Sequence, residues 1–484
     1  MRNKSLKVNA FLNSLRSLLS IIFPLITFPY VSRVLSVSGI GKYNFSNSIV
    51  SYFTLIAALG ISTYAIREGA KYRDSKQKID TFASEVFTIN VFSAIIAYIL
   101  LFISLAIFVK LHSYIACILI YSIQIGFSVI SFDWLFTIYE DFVYITIRSI
   151  VFQLISILLL FVFVRRSDDY LNYAAITVFS AVGSNILNFY KVKKDHRICL
   201  TLHCNLNKHI LPILILFAAN VANLIYVNSD ITLLGLMTSN YIVGIYSISS
   251  RIYTIVKSLL SAILLVTVPR LAMLYGKRKI SEYKNLLSRL TNMLVLLILP
   301  SMAGLIMLSK QVILIIAGNH FIRSTTSLEI LTFAYIFAIL AWILSDCVLI
   351  PAKREKYVLY SMTLSAVLNI VLNIILIPYF SENGAAISTV IAEMSMLISN
   401  YIYSKDLIRD VFISKDLFNT FRTSLIGSIG IIISCLLIES LCSPVIVTTI
   451  LSIFISVFVY LLVLIGFRNP YVQPLLRQLL GRFI

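Results

Sequence analysis

The most restrictive feature of this 484-residue chain is the recurrence of uninterrupted apolar runs, each about twenty residues long. A helix that crosses the ~30 Å hydrocarbon core of a bilayer needs about 20 mostly apolar residues. Fourteen segments meet that need, at roughly 12–35, 43–63, 84–109, 114–136, 143–164, 171–190, 210–236, 241–267, 288–308, 326–350, 357–377, 384–403, 421–438 and 445–466. The runs are continuous rather than alternating, which selects helices over the strands of a membrane β-barrel. No stretch combines a short apolar core with a small-residue cleavage site, so the first run is expected to remain as a span. Composition agrees: 59% of residues are apolar and 13% charged, against about 45–50% and about 25% in soluble domains. A soluble enzyme, a secreted disulfide scaffold and a disordered tail protein are excluded. The expected fold class is an all-α polytopic membrane protein of about 14 transmembrane helices.

The net charge is +19, from 40 Lys and Arg against 21 Asp and Glu. Such basicity often marks a nucleic-acid binder, but here the cations sit between the apolar runs, so no nucleic-acid partner is expected. Lys and Arg concentrate in cytoplasmic loops of membrane proteins. With the N-terminus placed in the cytoplasm, 29 cations fall in inside segments and six outside: Lys42, Lys110, Arg165, Arg166, Lys310 and Arg323. An even number of spans returns the C-terminus to the cytoplasm.

Five cations then remain within the spans: Arg16, Arg33, Arg148, Arg251 and Lys257. A cation at the bilayer centre costs at least about 2.5 kcal/mol on insertion scales, which makes each a candidate for contacting an anionic substrate. The alternative is snorkelling or structural pairing, most natural for Arg33 and Arg148 near span ends. Arg251 and Lys257 lie six residues apart, close to 240° around a helix, so they need not face the same way. Asp133, Asp230, Asp346 and Glu393 lie inside or near the spans. Asp230, Glu393 and Asp133 are the candidates for ion coupling, and simple neutralisation of an Arg is an equal reading for each.

The two halves of the chain echo each other. Tyr30-Val31-Ser32-Arg33 is matched by Tyr226 to Asp230, Gly41-Lys42-Tyr43 by Gly244-Ile245-Tyr246, and Tyr173 to Ile176 by Gly384 to Ile387. The offsets of 196, 203 and 211 drift in order, as loop insertions would cause. A six-helix unit used twice keeps both copies in one orientation, as in transporters with parallel lobes. The expected organisation is an N-lobe at 1–209 with a cytoplasmic loop at about 191–209, a C-lobe at 210–409, and two further helices with a cytoplasmic tail at 410–484. Pro24 and Pro29 lack amide donors and mark a bend or opening in the first span.

Motifs for other chemistry are missing. There is no G-x-x-x-x-G-K-[ST] phosphate loop, no H-E-x-x-H and no G-x-S-x-G, and no cofactor is implied. The loop at 191–209 carries His196, Cys199, His203, Cys204 and His209, ligand types that suit zinc. The plainer reading, a solvated basic loop without a metal, is preferred. Cys435 and Cys442 lie near the expected outer face without requiring a disulfide. Most of the 27 Tyr and 31 Phe are expected to be structural; Tyr43, Tyr52, Tyr246 and Tyr253 are first choices for stacking on a sugar.

Pro24 to Leu35 (PLITFPYVSRVL) resembles the opening of the O-antigen flippases of the Wzx type, as do Gly41 to Ser51 and Tyr64 to Gly69. Asp133-Trp134-Leu135-Phe136 with Glu140 and Arg148, Tyr226 to Asp230, Ser250-Arg251-Ile252-Tyr253 running to Pro269-Arg270-Leu271, and Leu349 to Lys356 extend the likeness along nearly the whole chain. Where the family often carries Gln-Gly after Trp-Leu-Phe, Thr137 and Ile138 stand here, so no role for that amide carries over. The resemblance implies the MATE-like fold of the multidrug/oligosaccharidyl-lipid/polysaccharide (MOP) exporter superfamily. It implies a bacterial inner-membrane flippase, not an enzyme, that moves an undecaprenyl-pyrophosphate-linked oligosaccharide to the periplasmic leaflet beside an O-antigen polymerase and a chain-length regulator. A lipid II flippase and a cation-coupled drug exporter share the fold. Against the exporter stand the two extra helices and a thin excess of intramembrane cations, five to about four acids. A membrane glycosyltransferase is the enzyme-class alternative.

Overall fold

The computed structural model describes residue 23 and residues 26–201, 206–412, 414–441 and 444–473. Arg16, Pro24, His203, Cys204 and Cys442 lie outside the described residues. Among the described residues the chain is helical and contains no strand. Helices are numbered here as α1 (26–34), α2 (Val37–Ala58), α3 (Ile61–Gly69), α4 (Lys76–Ile107), α5 (Ile115–Val129), α6 (Asp133–Ile138), α7 (Phe142–Phe163), α8 (Tyr170–Val182) and α9 (Asn185–Asp195). They continue as α10 (Leu206–Met237), α11 (Asn240–Gly276), α12 (Ile280–Met307), α13 (Ser309–Ile316), α14 (Ser324–Trp342), α15 (Glu355–Phe412), α16 (Lys415–Leu441) and α17 (Val445–Gly466).

Among the described residues, ten helices are long and apolar enough to cross a membrane, or eleven if the bent pair Asn240–Ser261 and Val266–Gly276 counts as one span. The difference from fourteen has identifiable causes. The first expected span lies mostly outside the described residues. The sixth is interrupted at Gly183–Ser184, between α8 and α9. α15 would run roughly 87 Å if straight, at about 1.5 Å per residue, nearly three bilayer cores long. It is broken at Ser381, whose φ of 49° and ψ of −126° leave the helical region. The break falls between the expected spans 357–377 and 384–403.

Local chemistry explains the ends. The Ser36 hydroxyl caps α2 by accepting the Gly39 N–H at 3.1 Å, as helix N-caps do. α2 stops at Leu59 and Gly60, both with positive φ, where glycine supplies the left-handed residue that turns the chain into α3. Between α7 and α8 the Asp169 carboxylate accepts the Arg165 and Arg166 N–H groups at 2.9 and 2.7 Å. Those amide donors hold it below the usual carboxylate range. Bulky apolar side chains such as Phe454, Phe458 and Leu437 stand exposed, the surface expected where lipid replaces water.

The chain divides into two compact units, Met1–Gly244 and Ile245–Ile484. In the first, α2 packs against α4, α5, α8 and α10. In the second, α14 packs along α15, and α12 along α16, which also packs on α17. The Tyr460 hydroxyl donates to the Leu296 carbonyl at 2.7 Å and meets Ser424 at 2.8 Å, while Gly427 leaves room for the Tyr460 ring. Polar contacts and small residues of this kind replace the hydrophobic driving force that lipid removes.

Two contacts bear on the internal repeat. In the first unit Tyr43 of α2 meets Thr177 of α8 at 3.2 Å; in the second, Tyr246 of α11 meets Thr389 of α15 at 3.4 Å. Equivalent helices thus make equivalent bonds. The repeated glycines also meet: a Cβ on Gly41 would lie 1.8 Å from the Asn240 oxygen, and one on Gly244 would lie 2.1 Å from the Val37 oxygen. Gly244 follows Gly41, and Asn240 follows Val37, at the same offset of 203 residues.

Candidate functional site

Five of the proposed site residues fall on two pairs and one solitary position. Tyr253 and Lys257 are four apart on α11 and therefore share a face. That face meets Glu393 on the second half of α15. The Glu393 Oε1 accepts from Lys257 Nζ at 2.9 Å and from the Tyr253 hydroxyl at 3.1 Å, and Glu393 is buried. Arg251 lies on another side of α11, as the 240° separation requires. It is exposed and engages no hydrogen-bonding or ionic partner among the described residues. Two cations in one helix therefore differ: Lys257 is neutralised by Glu393, and Arg251 is exposed.

The second pair is Arg148 of α7 with Asp133 of α6. Arg148 Nη2 donates to Asp133 Oδ1 at 2.7 Å and Nη1 to the Ser184 carbonyl at 3.2 Å. Asn188 Nδ2 adds a bond to the same carboxylate oxygen at 2.8 Å and also reaches the Ser131 carbonyl. The Arg148 side chain is only 3% exposed, so this pair ties α6, α7 and α9 together. Removing one member of a buried pair leaves the other charge uncompensated and typically costs about 3–5 kcal/mol. Asp133→Asn, which strands the buried Arg148 guanidinium, is therefore expected to lower the amount of folded protein in the membrane by at least tenfold, measured by immunoblot, with Arg148→Ala less severe because the Asp133 carboxylate it leaves behind is 31% exposed.

Asp230 is buried in α10, two residues before Thr232, which meets Tyr52 at 3.1 Å and Ser48 at 3.2 Å. Arg33 is exposed near the end of α1. Asp346 lies in a π-helical turn, Ile343–Leu349, that continues α14, and accepts the Trp342 indole N–H at 2.6 Å. Of the aromatic candidates, Tyr246 and Tyr253 are buried and their hydroxyls are occupied, so helix packing accounts for both. Tyr43 and Tyr52 are half-buried, Tyr43 stacking on Tyr173 at 4.4 Å.

Other groups were not singled out from sequence. Glu85 and Glu329 fall inside the expected spans 84–109 and 326–350 and are found by a complete census of span acids. The same bounds also take in Arg289 (288–308) and Arg422 (421–438), counted above with the inside segments, so the balance stays close at seven cations to six acids and does not distinguish a flippase from a cation exporter. Arg323 makes a two-point contact with the buried Glu382, at 2.5 and 3.0 Å, just past the break in α15. His196 and His209 of the proposed loop bond to carboxylates instead: His196 Nδ1 to Asp80 at 2.6 Å and His209 Nε2 to Glu85 at 2.9 Å. Among the described residues no group of three His, Cys, Asp or Glu is placed to hold a metal.

In the second unit, α12, α16 and α17 line an apolar cavity of about 500 Å³, bordered by Leu296, Pro300, Ile431, Ser456, Tyr460 and Leu464.

A helical chain with many membrane-length helices is a multi-pass membrane protein. Its fold is that of the MOP superfamily. The lipid II flippase MurJ in an inward closed conformation superposes with a TM-score of 0.77 at 17% identity, covering 94% of this chain and 98% of that structure. An inward-facing multidrug transporter of the MATE family gives a TM-score of 0.64 at 15% identity, covering 81% and 95%. At the level of sequence, the model of a family described as polysaccharide biosynthesis protein matches residues 6–275, over half of the chain, and the chain belongs to that family. A putative O-antigen transporter of Shigella dysenteriae is 24% identical over 381 residues, covering 78% of this chain and 94% of the relative.

Proposed function

We propose that this chain is a flippase that turns undecaprenyl-pyrophosphate-linked O-antigen repeat units from the cytoplasmic to the periplasmic leaflet of a bacterial inner membrane by alternating access. It performs no covalent chemistry. Both termini lie in the cytoplasm, the chain crosses fourteen times, and the lobes are 1–209 and 210–409 with 410–484 added. The single observation that carries the reading is Arg251: a guanidinium inside an apolar helix, exposed and without an ionic partner among the described residues, in a family whose relatives include a putative O-antigen transporter.

A pyrophosphate must exchange its hydration for protein donors in a low-dielectric region. Guanidinium meets phosphate oxygens with two parallel N–H bonds, and a bond to a charged group contributes about 1.5–3 kcal/mol. Arg251 supplies such donors from α11 and Arg33 from α1, with Arg16 of the expected first span beside them. Lys257, already neutralised by Glu393, is held in reserve and becomes available when that pair opens. Asp230 and the Lys257–Glu393 pair are the places for ion coupling. The polyprenyl chain stays in the lipid phase, where the apolar cavity beside α12, α16 and α17 offers it a protein surface. The O-antigen polymerase and the chain-length regulator act on the delivered unit.

Deleting the gene should remove surface O-antigen polysaccharide, and this chain supplied from a plasmid should restore it. Intact polysaccharide after deletion overturns the reading. The fold likeness to MurJ favours lipid II as a second substrate class; rescue of a strain lacking its lipid II flippase, with no effect on O-antigen, would select that class.

A further inference from the structure

We propose that Asp346 binds a sodium ion, which supplies in the second unit the positive charge that Arg148 supplies in the first. The inference goes beyond the substrate reading above and holds whatever molecule the chain moves.

The two units turn the chain in the same way at this point. At the end of α6 the Tyr139, Glu140 and Asp141 N–H groups donate to the Leu135, Thr137 and Phe136 carbonyls at 3.2, 3.0 and 2.9 Å. After the π-helical turn the Ala352, Lys353 and Arg354 N–H groups donate to Val348, Ile350 and Leu349 at 3.1, 2.9 and 2.8 Å. Every donor and acceptor is displaced by 213 residues. Glu140 and Lys353 both have positive φ, 55° and 59°, and α7 and α15 begin two residues later, at Phe142 and Glu355. Similar turns close other helices; the correspondence rests on the shared place in the repeat, directly ahead of α7 and α15. At this offset Asp133 corresponds to Asp346, and Arg148 to Ser361. Asn188 corresponds to Asn400 at 212, the offset that also relates Thr177 to Thr389.

The two carboxylates have different company. Asp133 gathers Arg148 Nη2 and Asn188 Nδ2 on one oxygen. Asp346 gathers neither counterpart. It accepts from its own helix, from the Trp342 indole N–H at 2.6 Å and the Ser345 hydroxyl at 3.1 Å, and pairs with no Lys or Arg among the described residues. Asn400 donates to the Ala341 carbonyl at 3.1 Å and not to Asp346. Ser361 is 0% exposed, and its Oγ has no hydrogen-bond partner among the described residues. A serine within a helix commonly bonds back to the carbonyl four residues earlier, and Ser361 does not. Of the cations that follow, Arg354 is held by Asp406 and the Tyr403 carbonyl, while Lys353 and Lys356 are exposed.

An ionised carboxylate within a span needs a counter-charge. With serine where the first unit has arginine, no described side chain supplies it, and an ion from solution does. Asp346 and Ser361 offer oxygen atoms, the ligands that hard cations take. One carboxylate balances one charge, which favours sodium over a divalent ion. Trp342 and Asp346 are half-buried, so the site is open to an ion. Trp342 lies nine residues beyond Phe333, half a turn round at about 100° per residue. Phe333 is 48% exposed, so the site opens on the side away from that apolar face. A guanidinium is tethered, whereas a sodium ion can leave. The second unit therefore has a loaded and an unloaded state where the first has a fixed pair.

The reporter is built in: Trp342 is one of two tryptophans, and its N–H meets the carboxylate that takes the ion. The full chain carrying Trp134→Phe, in lipid nanodiscs, is titrated with sodium chloride while choline chloride holds the ionic strength constant. Trp342 emission should shift saturably with sodium. Asp346→Asn should abolish the shift, and Ser361→Ala should raise the half-saturating sodium concentration by about tenfold or more, as loss of a metal-site partner does. If Trp134→Phe does not fold, binding of radioactive sodium to the unaltered chain and to Asp346→Asn decides instead. A response that choline reproduces, that follows pH but not sodium, or that survives Asp346→Asn overturns the proposal. No polysaccharide enters these measurements, so their failure leaves the flippase reading standing, and failure of that reading leaves the sodium site standing.

Discussion

Arg251→Ala should abolish surface polysaccharide while the protein remains in the membrane at its normal level. Both halves of that expectation follow from the same geometry. The guanidinium is exposed and has no partner among the described residues, so its removal strands no described charge, and stability should change little. The substrate, by contrast, loses charge-assisted bonds to a phosphate group, about 1.5–3 kcal/mol in all, which is tenfold to more than a hundredfold in transport at limiting substrate. Arg251→Lys should recover part of the activity, since an ammonium keeps the charge but not the two-point geometry. Lys257→Ala separates the two roles. It strands the buried Glu393 carboxylate, so its first effect should be a fall in protein level. The double replacement Lys257→Ala with Glu393→Gln should restore that level. Quantifying membrane protein by immunoblot and surface polysaccharide on the same cells measures both. Normal export by Arg251→Ala removes this residue from the site.

The second large effect is expected at the glycine crossing. Gly41→Val and Gly244→Val, made singly, should each stop export without loss of membrane protein. A Cβ at either position collides with a backbone oxygen, 1.8 Å from Asn240 and 2.1 Å from Val37 respectively. Main-chain atoms cannot rotate away as a side chain can, so α2 and α11 must part at that point. Overpacking of this kind costs about 1–3 kcal/mol and occasionally more; 2 kcal/mol alone depopulates the arrangement roughly thirtyfold. A transporter that must pass through this arrangement in every cycle would stall, whereas the helices themselves, held by other contacts, stay folded. Gly276→Ala is the control, because nothing lies within 4 Å of a Cβ there, and it should export normally. Full activity in Gly41→Val would show that the close crossing is dispensable.

The fold was legible because the forces that set it are one-dimensional. A run of twenty apolar residues has to become a membrane helix, and helices stand where the runs lie, from α2 to α17. Its ends were less legible. The break at Ser381 carries no glycine or proline at the break itself, and Gly183–Ser184 interrupts a run whose hydropathy is continuous. The repeat was legible in part: the offset of 203 relating Gly41 to Gly244 also relates Val37 to Asn240, the residue that each glycine's counterpart abuts.

The site was legible as a set of residue types and not as an arrangement. Lys257 and Arg251 look alike in sequence, and only the placement of Glu393, 136 residues beyond Lys257, shows that one is neutralised and the other is not. Arg148 and Asp133 look like substrate and ion contacts until Asn188 and Ser184 close around them. His209 looks like part of a zinc loop until Tyr64 and Glu85, 145 and 124 residues away, take its two nitrogens.

The sequence by itself determined that the chain is a helical membrane protein, where its cations lie between the apolar runs, and which family it belongs to. All three depend on composition summed along short stretches, where the water-to-lipid transfer energy of each residue adds to its neighbours'. The tertiary structure alone decided which charges cancel and which remain open. That depends on helix rotation and on pairings across more than a hundred residues, and at about 100° per residue a shift of two positions turns a side chain from a partner to the lipid.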